Sequence, residues 1–509
     1  MPPRSQTPSL IPVGQQALHA RLSLSVPLPH VRSYVGASHR HTLAAQTHTE
    51  EHFRAQSMPP DTVVGHLKFA LKHEPLDLGV VAAVLKVMDP GALEEWVRAE
   101  PTGAFARRAW FFYERLTKRR LDLPDLASIK VYTPALDPEL HVTVPDGERS
   151  PRHKVIDNLL GVSGFCPTVR LTPTLKRRRV ENLPNAARAL LVGVSPEVLT
   201  RAVNYLYTKE TMSSFQIEGE TAQGSKAERF VAALRQISRI DPSREADLVG
   251  LQNLIVDRRY AVSGYRTTQV FVGEGGLMDH RDLIRFIAPK PQDVRPLMDA
   301  WSHTLMRLDG TIDPVVAAAV IAFGFVFIHP FDDGNGRIHR FLIHQTLARG
   351  HFTPPDMIFP VSAAILRDRG SYDRALEHFS NAIRPFIEWR YSLRQETREV
   401  GLEVTTETSH LYQYFDATHL AEFLYDKVAE TIERDLREEL SFISTHDAAI
   451  QAVRERIDMP DRRLSLFVFL CLQNGGRLSK KKRSLFSEIL DEELASLEQA
   501  IRDATSAVN

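Results

Sequence analysis

The feature that most constrains the fold is an almost uninterrupted apolar run, VVAAAVIAFGFVFI, at residues 315 to 328. A helix of this composition must be buried on all sides, and it is shorter than the roughly 20 residues that a membrane span needs. Pro330 must end it, because proline inside a helix loses a hydrogen bond and clashes with the preceding turn. The run therefore predicts a core helix that holds His329 at the end of a rigid element.

Composition indicates an ordinary globular protein, with 43% apolar and 25% charged residues in a chain of 509, long enough for several domains. Lys plus Arg and Asp plus Glu both total 63, so no global basic field attracts nucleic acid or an anionic membrane. Cys166 and Cys471 are too few and too distant for a disulfide framework or a cysteine metal site. With no signal-peptide pattern at the start, these features favour the cytoplasm.

The stretch after the apolar run contains a turn suited to anions. Gly334, Asn335 and Gly336 tolerate positive φ, and such backbone can point successive N–H groups inward. A helix begins straight afterwards, and its amino terminus favours a phosphate. Arg337 and Arg340 are three apart on that helix, so their guanidinium groups project near one another and match phosphate oxygens.

The same stretch supplies a base and a metal ligand. His329 has the side chain whose ordinary pKa suits proton abstraction near neutral pH. A carboxylate beside phosphates, Asp332 or Asp333, is what Mg²⁺ takes as a protein ligand. No G-x-x-x-x-G-K-[ST] loop is present here, which excludes a P-loop enzyme. The combination indicates phosphoryl or nucleotidyl transfer.

Residues 329 to 340, HPFDDGNGRIHR, resemble the signature of the Fic family, H-P-F-x-[D/E]-G-N-G-R-x-x-R, at every specified position. The resemblance implies a helical enzyme that transfers AMP from ATP to a Ser, Thr or Tyr hydroxyl of a target protein, and to itself. It implies these roles: His329 as general base, Asp333 as the Mg²⁺ ligand, Gly334, Asn335 and Gly336 as the anion hole, Arg337 as a phosphate ligand and Arg340 as the contact to the terminal phosphate.

Two other segments extend the resemblance. SGYRTTQVFVG, residues 263 to 273, is bounded by glycines and rich in strand-forming residues. It resembles the flap of Fic proteins, which implies that Thr267, Thr268, Gln269 and Val270 contact the target chain. RDRGSYDRAL, residues 367 to 376, loosely resembles the helix that carries adenine-side contacts, which implies a nucleotide-binding role for Tyr372.

A third segment, SSFQIEG at residues 213 to 219, resembles the autoinhibitory helix of the family through [S/T]-x-x-x-E-[G/N]. The matching residues are Ser214 and Glu218. The resemblance implies that Glu218 pairs with Arg340 and denies that guanidinium to the γ-phosphate of ATP, since a carboxylate–guanidinium pair is strong. Removal of AMP by the same site stays open.

The predicted fold class is mainly α: a Fic-type helical bundle with a small β-hairpin flap, flanked by helical domains. Residues 1–57 are expected to be disordered, because they are rich in Pro, Ser, Thr and His and their histidines keep no metal-ligand spacing. The remaining predicted domains are 58–185, mostly helical; 186–395, catalytic, with the inhibitory helix near 208–219; and 400–509, helical, with a winged-helix-like module as the alternative.

Other functions stay open at this point. The basic cluster from Arg477 to Arg483 allows a nucleotide-sensing regulator that binds DNA. A Fic enzyme that transfers another phosphate-containing group is a further alternative, although the intact G-N-G-R-x-x-R favours AMP. The expected partners are a hydroxyl-bearing protein and the chain itself, with a second copy and nucleic acid left open and no membrane.

Overall fold

The computed structural model describes residues 10–508 except 46, 128, 222–223, 274–283 and 394–399. The fold is mainly α with small sheets, which confirms the predicted class. No helix in the described part of the chain is both long and apolar enough to span a membrane. The chain divides into two compact units, the first comprising 1–181, 223–352 and 368–425, and the second 182–222, 353–367 and 426–509.

Elements are numbered in chain order across both units. The helices of the first unit are α1 (Gly14–Arg21), α2 (Val63–His73), α3 (Leu78–Val87), α4 (Pro90–Ala99), α5 (Ala104–Thr117), α6 (Pro173–Val180), α9 (Ser225–Arg235), α10 (Glu245–Ile255), α11 (Pro291–Leu308), α12 (Pro314–Ile328), α13 (Asn335–Arg349), α15 (Arg369–Ile383), α16 (Ser409–Gln413) and α17 (Thr418–Glu430), whose last residues belong to the second unit.

Strands are confined to the first unit among the described residues. They are β1 (Ile11–Val13), β2 (Val31–Ala37), β3 (His41–Ala44), β4 (Thr49–Arg54), β5 (Thr133–Pro134), β6 (Glu148–Ser150), β7 (Val155–Asp157), β8 (Phe271–Gly273), β9 (Ile284–Ile287), β10 (Trp389–Leu393) and β11 (Val400–Val404). They form four small sheets, of orders β1-β2-β4-β3, β5-β7-β6, β8-β9 and β10-β11, in which β2 with β4 and β5 with β7 are parallel pairs.

The second unit is helical throughout its described residues. Its helices are α7 (Leu183–Leu190), α8 (Pro196–Ile217), α14 (Val361–Arg367), α18 (Arg437–Arg454), α19 (Asp461–Leu472) and α20 (Asp491–Val508), with a π-helical turn over Thr431–Leu436 and a 3₁₀ segment over Lys480–Phe486. In the described part of residues 400–509 the regular elements are helices apart from β11, which pairs with β10. The choice between a helical and a winged-helix-like module stays a prediction. Arg483 donates to the Ile489 carbonyl and to Asp491, a structural use of one basic-cluster residue.

The expected disorder of residues 1–57 is wrong for the part that the structure describes. Residues from Ile11 onward form β1 to β4 and α1, and Val13, Val35 and Phe53 bury their side chains against Phe69 of α2. The segment is polar in composition, yet β2 alternates buried and partly exposed residues with the period of two that a strand requires. That alternation was the signal that composition concealed.

Helix α12 is the core element that positions the candidate site. Asp313 caps its start by accepting hydrogen bonds from the backbone N–H groups of Val315 and Val316. The apolar run is buried nearly all round, as its composition predicts. Gly324 is required inside it, because a Cβ there would lie 2.5 Å from the ring of Phe165.

Candidate active site

His329 ends helix α12 in a left-handed backbone conformation, with φ of +53°. Its backbone N–H donates to the Phe325 carbonyl at 2.9 Å, which completes the last turn. Its ring Nδ1 lies 3.2 Å from the Val326 carbonyl oxygen. A carbonyl only accepts, so Nδ1 carries the proton, and in the neutral ring Nε2 is the basic nitrogen. The end of α12 thus fixes both the direction and the tautomer of this imidazole.

Arg266 holds the backbone of His329 in place, and the sequence analysis did not identify it. Its Nε donates to the His329 carbonyl at 2.7 Å, and its backbone N–H donates to the Pro330 carbonyl at 2.8 Å. The other guanidinium nitrogens donate to the carbonyls of Thr268 and Pro289, both at 2.7 Å. Burial lowers the pKa of Arg266 to about 10, so the side chain stays charged at neutral pH.

The turn between α12 and α13 is held by an asparagine. Asn335 accepts the Phe331 N–H at 3.1 Å and donates its amide to the Phe331 carbonyl at 2.7 Å. Phe331 is fully buried, so this exchange ties the loop to the core. Gly334 has φ of +91°, and a Cβ at that position would lie 2.9 Å from Val256. Glycine is therefore required there on two grounds, backbone conformation and space.

The turn leads directly into the amino terminus of α13. Asn335, Gly336 and Arg337 begin that helix, where backbone N–H groups lack intrahelical partners and partial positive charge accumulates. The side chains of Arg337 and Arg340 are both buried, at 3% and 1% relative exposure. Two buried guanidinium groups on the first turns of one helix form an electropositive floor suited to an anion.

The two acidic residues of the turn differ in their contacts. Asp333 Oδ1 accepts from the Gly334 N–H at 2.6 Å and from Arg337 Nη2 at 3.0 Å, and its side chain is about half exposed. Asp332 instead accepts from the Thr268 hydroxyl at 2.7 Å. A half-exposed carboxylate is the kind of oxygen donor that Mg²⁺ takes from a protein, so the chemistry of Asp333 fits this ion.

The four residues predicted to contact the target chain lie on the segment that contains Arg266. The Thr268 contact to Asp332 brings the flap to the signature, and the Val270 carbonyl accepts the Ala288 N–H at 3.1 Å. Gln269 donates to the Ala288 carbonyl at 2.7 Å. Thr267 lies between Arg266 and Thr268 on the same segment. Within residues 263–273 the regular strand is Phe271–Gly273, which pairs with Ile284–Ile287. It is shorter than the whole run of strand-forming residues in that segment.

Tyr372 lies on α15 and is buried. Its ring is nearly parallel to that of His339 on α13, with centroids 6.2 Å apart. On the same helix, Phe379 stacks on Phe327 of α12 at a centroid distance of 4.2 Å. Helix α15 is therefore packed against both helices that flank the signature turn.

The predicted inhibitory residues lie on α8, in the second unit. Ser214 is fully buried, and Glu218 follows the last helical residue as an exposed cap. Glu210, one turn before Ser214, is also buried and accepts from the backbone N–H of Ser362 at 2.8 Å, which anchors α8 to α14. The expected pairing of Glu218 with Arg340 remains a prediction.

The site therefore combines a histidine at the end of a buried helix with a glycine turn and a helix amino terminus that carries two buried arginines. Residues 242–347 match the sequence profile of the Fic/DOC family. The matched residues contain His329, the glycine turn and both arginines, so the similarity includes the signature.

Two curated relatives illustrate the similarity. Protein adenylyltransferase Fic of Nematostella vectensis is 35% identical over 144 residues, which cover 28% of this chain and 30% of the relative. Protein adenylyltransferase fic-1 of Caenorhabditis elegans is 29% identical over 222 residues, covering 40% and 39% of the two chains. The chain thus spans well under half the length of these relatives. A Fic-domain signaling protein of Bacteroides thetaiotaomicron aligns with a TM-score of 0.37 at 18% identity, over 52% of this chain and 96% of that one.

Proposed function

We propose that this chain transfers AMP from ATP to a Ser, Thr or Tyr hydroxyl of a target protein and of itself. The observation that carries the proposal is the arrangement around the turn between α12 and α13. The bond between Val326 and the His329 ring leaves Nε2 as the basic nitrogen, while Gly334 and Arg337 prepare an anion site a few residues away. The relatives named as protein adenylyltransferases support the same activity.

In the proposed reaction, His329 Nε2 takes the proton of the target hydroxyl as its oxygen attacks the α-phosphorus of ATP. An oxygen–phosphorus bond forms, the bond from the α-phosphorus to the bridging oxygen breaks, and pyrophosphate leaves. The amino terminus of α13 and the two arginines stabilise the negative charge on the phosphates. Asp333 would hold Mg²⁺, which, when bound, neutralises part of the phosphate charge. Tyr372 is proposed to contact the adenine side.

The flap is proposed to align the target chain. Thr267, Thr268, Gln269 and Val270 would bind its main chain as an added strand, a mode in which backbone hydrogen bonds supply affinity. The hydroxyl of Thr268 bound to Asp332, and the guanidinium of Arg266 bound to the His329 carbonyl, connect this segment to the base. Docking a chain on the flap would therefore place its hydroxyl relative to Nε2.

Autoinhibition by Glu218 is the regulatory part of the proposal. Its carboxylate lies at the carboxyl-terminal end of α8, where the helix dipole disfavours negative charge. Helix stability therefore does not explain a glutamate there, whereas a pair with Arg340 does. Ser214, buried on the same helix, is proposed to help hold the motif in its inhibitory position.

The cytoplasm is the proposed location. Cys166 and Cys471 are both buried free thiols, and burial raises the pKa of the Cys166 thiol to about 11 and that of Cys471 to about 12. Buried thiols with a raised pKa react slowly, and free thiols are the state that a reducing compartment maintains.

The test uses purified full-length chain and lysate with ATP labelled either on the α-phosphate or on the γ-phosphate. We expect Glu218→Gly to raise α-label incorporation by on the order of tenfold or more, because a charged pair of about 1.5–3 kcal/mol is lost. His329→Ala should abolish it. Glu197→Gly, the same change at the exposed start of α8, is the matched control and should behave as wild type.

The outcomes separate the parts of the proposal. Incorporation of γ-label in place of α-label would identify phosphate transfer. Activity that survives His329→Ala would remove the histidine from its role. Equal activities of Glu218→Gly and Glu197→Gly would end the autoinhibition hypothesis alone.

A further inference from the structure

Three histidines from distant parts of the first unit converge at one place. In His30, His378 and His419, one ring nitrogen of each lies within 4.8 Å of the others. The ring centroids of His378 and His419 are 4.4 Å apart, and those of His30 and His419 are 5.1 Å apart. His30 lies just before β2, His378 on α15 and His419 on α17. No local spacing in the sequence therefore predicts the cluster.

Each imidazole is carried by backbone that the fold holds in place. The His30 carbonyl accepts the Thr49 N–H at 2.9 Å, which fixes it at the edge of β2 and β4. His378 precedes Phe379, whose ring is buried against α12. His419 follows Thr418, whose hydroxyl oxygen accepts the Arg170 N–H at 2.8 Å. The cluster is therefore preorganised by the same contacts that build the unit.

A carboxylate contacts His419 in the way that second groups orient metal-bound histidines. His419 Nδ1 lies 3.4 Å from the Glu422 carboxylate, which leaves Nε2 as the nitrogen for a metal. Glu422 is in turn held by the Thr172 hydroxyl, which donates to it at 2.5 Å. A carboxylate behind a histidine fixes the ring and raises its basicity as a ligand.

Burial favours the neutral form of His30. Burial, and then the nearby charge of Arg170, lower the pKa of His30 to about 4. Arg170 is itself paired with Asp416 at 2.7 Å, so its charge is offset. Neutral imidazole is the form that binds a metal.

We propose that His30, His378 and His419 together bind one Zn²⁺ ion. Imidazole nitrogens suit zinc, whereas Mg²⁺ takes oxygen ligands, so the site would discriminate between zinc and the ion proposed at Asp333. A metal at the centre of a triangle with 4.8 Å sides would lie about 2.8 Å from each nitrogen, against roughly 2.0–2.1 Å in zinc sites. Rotation of the exposed His378 ring and small adjustments of the others close that gap.

The consequence is a structural staple within the first unit. Metal bound here would join the amino-terminal sheet to α15 and α17, and α15 packs on the helix that ends at His329. The proposal does not depend on AMP transfer. It predicts that zinc stabilises the folded chain even when no nucleotide is present.

The experiment uses untagged full-length chain, stripped with a chelator and titrated with Zn²⁺ in competition with a chromogenic zinc indicator. Metal content is measured by mass spectrometry, and the thermal midpoint is followed with and without Zn²⁺. We expect one zinc per chain and a higher midpoint, since a ligand bound only to the folded state stabilises it. Bound Co²⁺ should give the visible spectrum of a tetrahedral nitrogen site, and Mg²⁺ should not compete.

Four variants make the result decisive. His378→Ala changes an exposed side chain and should fold normally, yet lose stoichiometric zinc. Glu422→Gln should weaken zinc binding by on the order of 10–100-fold. His303→Ala, an exposed histidine on α11, and His41→Ala, in the amino-terminal sheet, should bind zinc as wild type does. Absence of stoichiometric zinc at micromolar free concentration, or equal binding by His378→Ala and His303→Ala, would overturn the proposal.

Discussion

The Nε of Arg266 donates to the backbone carbonyl of His329 at 2.7 Å, which joins the segment that leads into the flap to the end of the core helix. The two residues are 63 positions apart in the sequence. Because the backbone N–H of Arg266 also binds the Pro330 carbonyl, the flap and the candidate base share one rigid connection. Arg266 is thus a positioning residue, acting through His329 and not on the substrate.

Arg266→Lys should lower AMP transfer by on the order of tenfold to a hundredfold, since a misplacement of about 1 Å at a reacting group costs this much. Lysine keeps the charge but cannot supply the fork of donors that binds the carbonyls of His329, Thr268 and Pro289. Steady-state kinetics should show the loss in kcat with little change in KM for ATP. Arg259→Lys, at an exposed position, is the control. A rise in KM for ATP with an unchanged kcat would assign Arg266 to ATP binding instead.

Gly334→Ala should raise KM for ATP on the order of tenfold and destabilise the chain by about 1–3 kcal/mol. The reason is twofold: φ is +91°, and the new Cβ would meet Val256 at 2.9 Å. Val256→Ala should relieve only the steric part. Gly250→Ala on α10 is matched, because its Cβ would meet nothing within 4 Å, and it should stabilise the helix slightly. Wild-type ATP affinity in Gly334→Ala would show that the turn does not form the cradle.

Glu74 should make stability depend on pH. Its carboxylate accepts the Gln15 backbone N–H at 2.9 Å, and burial raises its pKa to about 7, above its ordinary value of 4.5. Between those values the unfolded chain releases a proton that the folded chain retains, so the free energy of unfolding falls as pH rises through this window. Glu74→Gln should remove part of that slope, on the order of 2–3 kcal/mol between pH 5 and pH 8.

Urea unfolding at several pH values measures this effect, with the exposed Glu139→Gln as the control expected to keep the wild-type slope. If Glu74→Gln and wild type differ by the same free energy at pH 5 and at pH 8, the carboxyl group does not titrate as described.

Arg367 should be needed for the stability of the second unit. It binds the fully buried Asp435 with two hydrogen bonds, at 2.8 and 2.6 Å, and Lys209 of α8 pairs with the same carboxylate at 2.6 Å. Arg367→Met leaves the buried Asp435 carboxylate with Lys209 alone, and it should lower the free energy of unfolding by about 3–5 kcal/mol. Hydrogen exchange should accelerate in α8 and α18. Arg434→Met, which removes an exposed pair with Glu438, should change stability by less than about 1 kcal/mol.

How much the sequence predicted depends on how local each feature is. The buried helix, His329, the glycine turn and both arginines lie in one continuous stretch, so composition and spacing identified them together. The flap was predicted as one segment, residues 263–273, and the structure places the regular strand of that segment at Phe271–Gly273. Propensity alone does not separate turn residues from strand residues.

Features made by distant residues could not be predicted in the same way. The amino-terminal strands were missed because a polar composition hid a period-two pattern, which the packing against Phe69 makes stable. Arg266 was missed because an arginine in a β-rich segment indicates no particular role until the fold brings three carbonyls to its guanidinium group.

The sequence by itself determined which residues lie at the turn after α12: a histidine, a glycine-rich turn, two carboxylates and two arginines, within a Fic signature. Only the tertiary structure decided how that turn is held and which distant residues meet, including the Arg266 contacts and the convergence of His30, His378 and His419. The physical reason is that local backbone preferences extend over a few residues. Burial and hydrogen bonding, in contrast, select partners by position in space, independent of their distance along the chain.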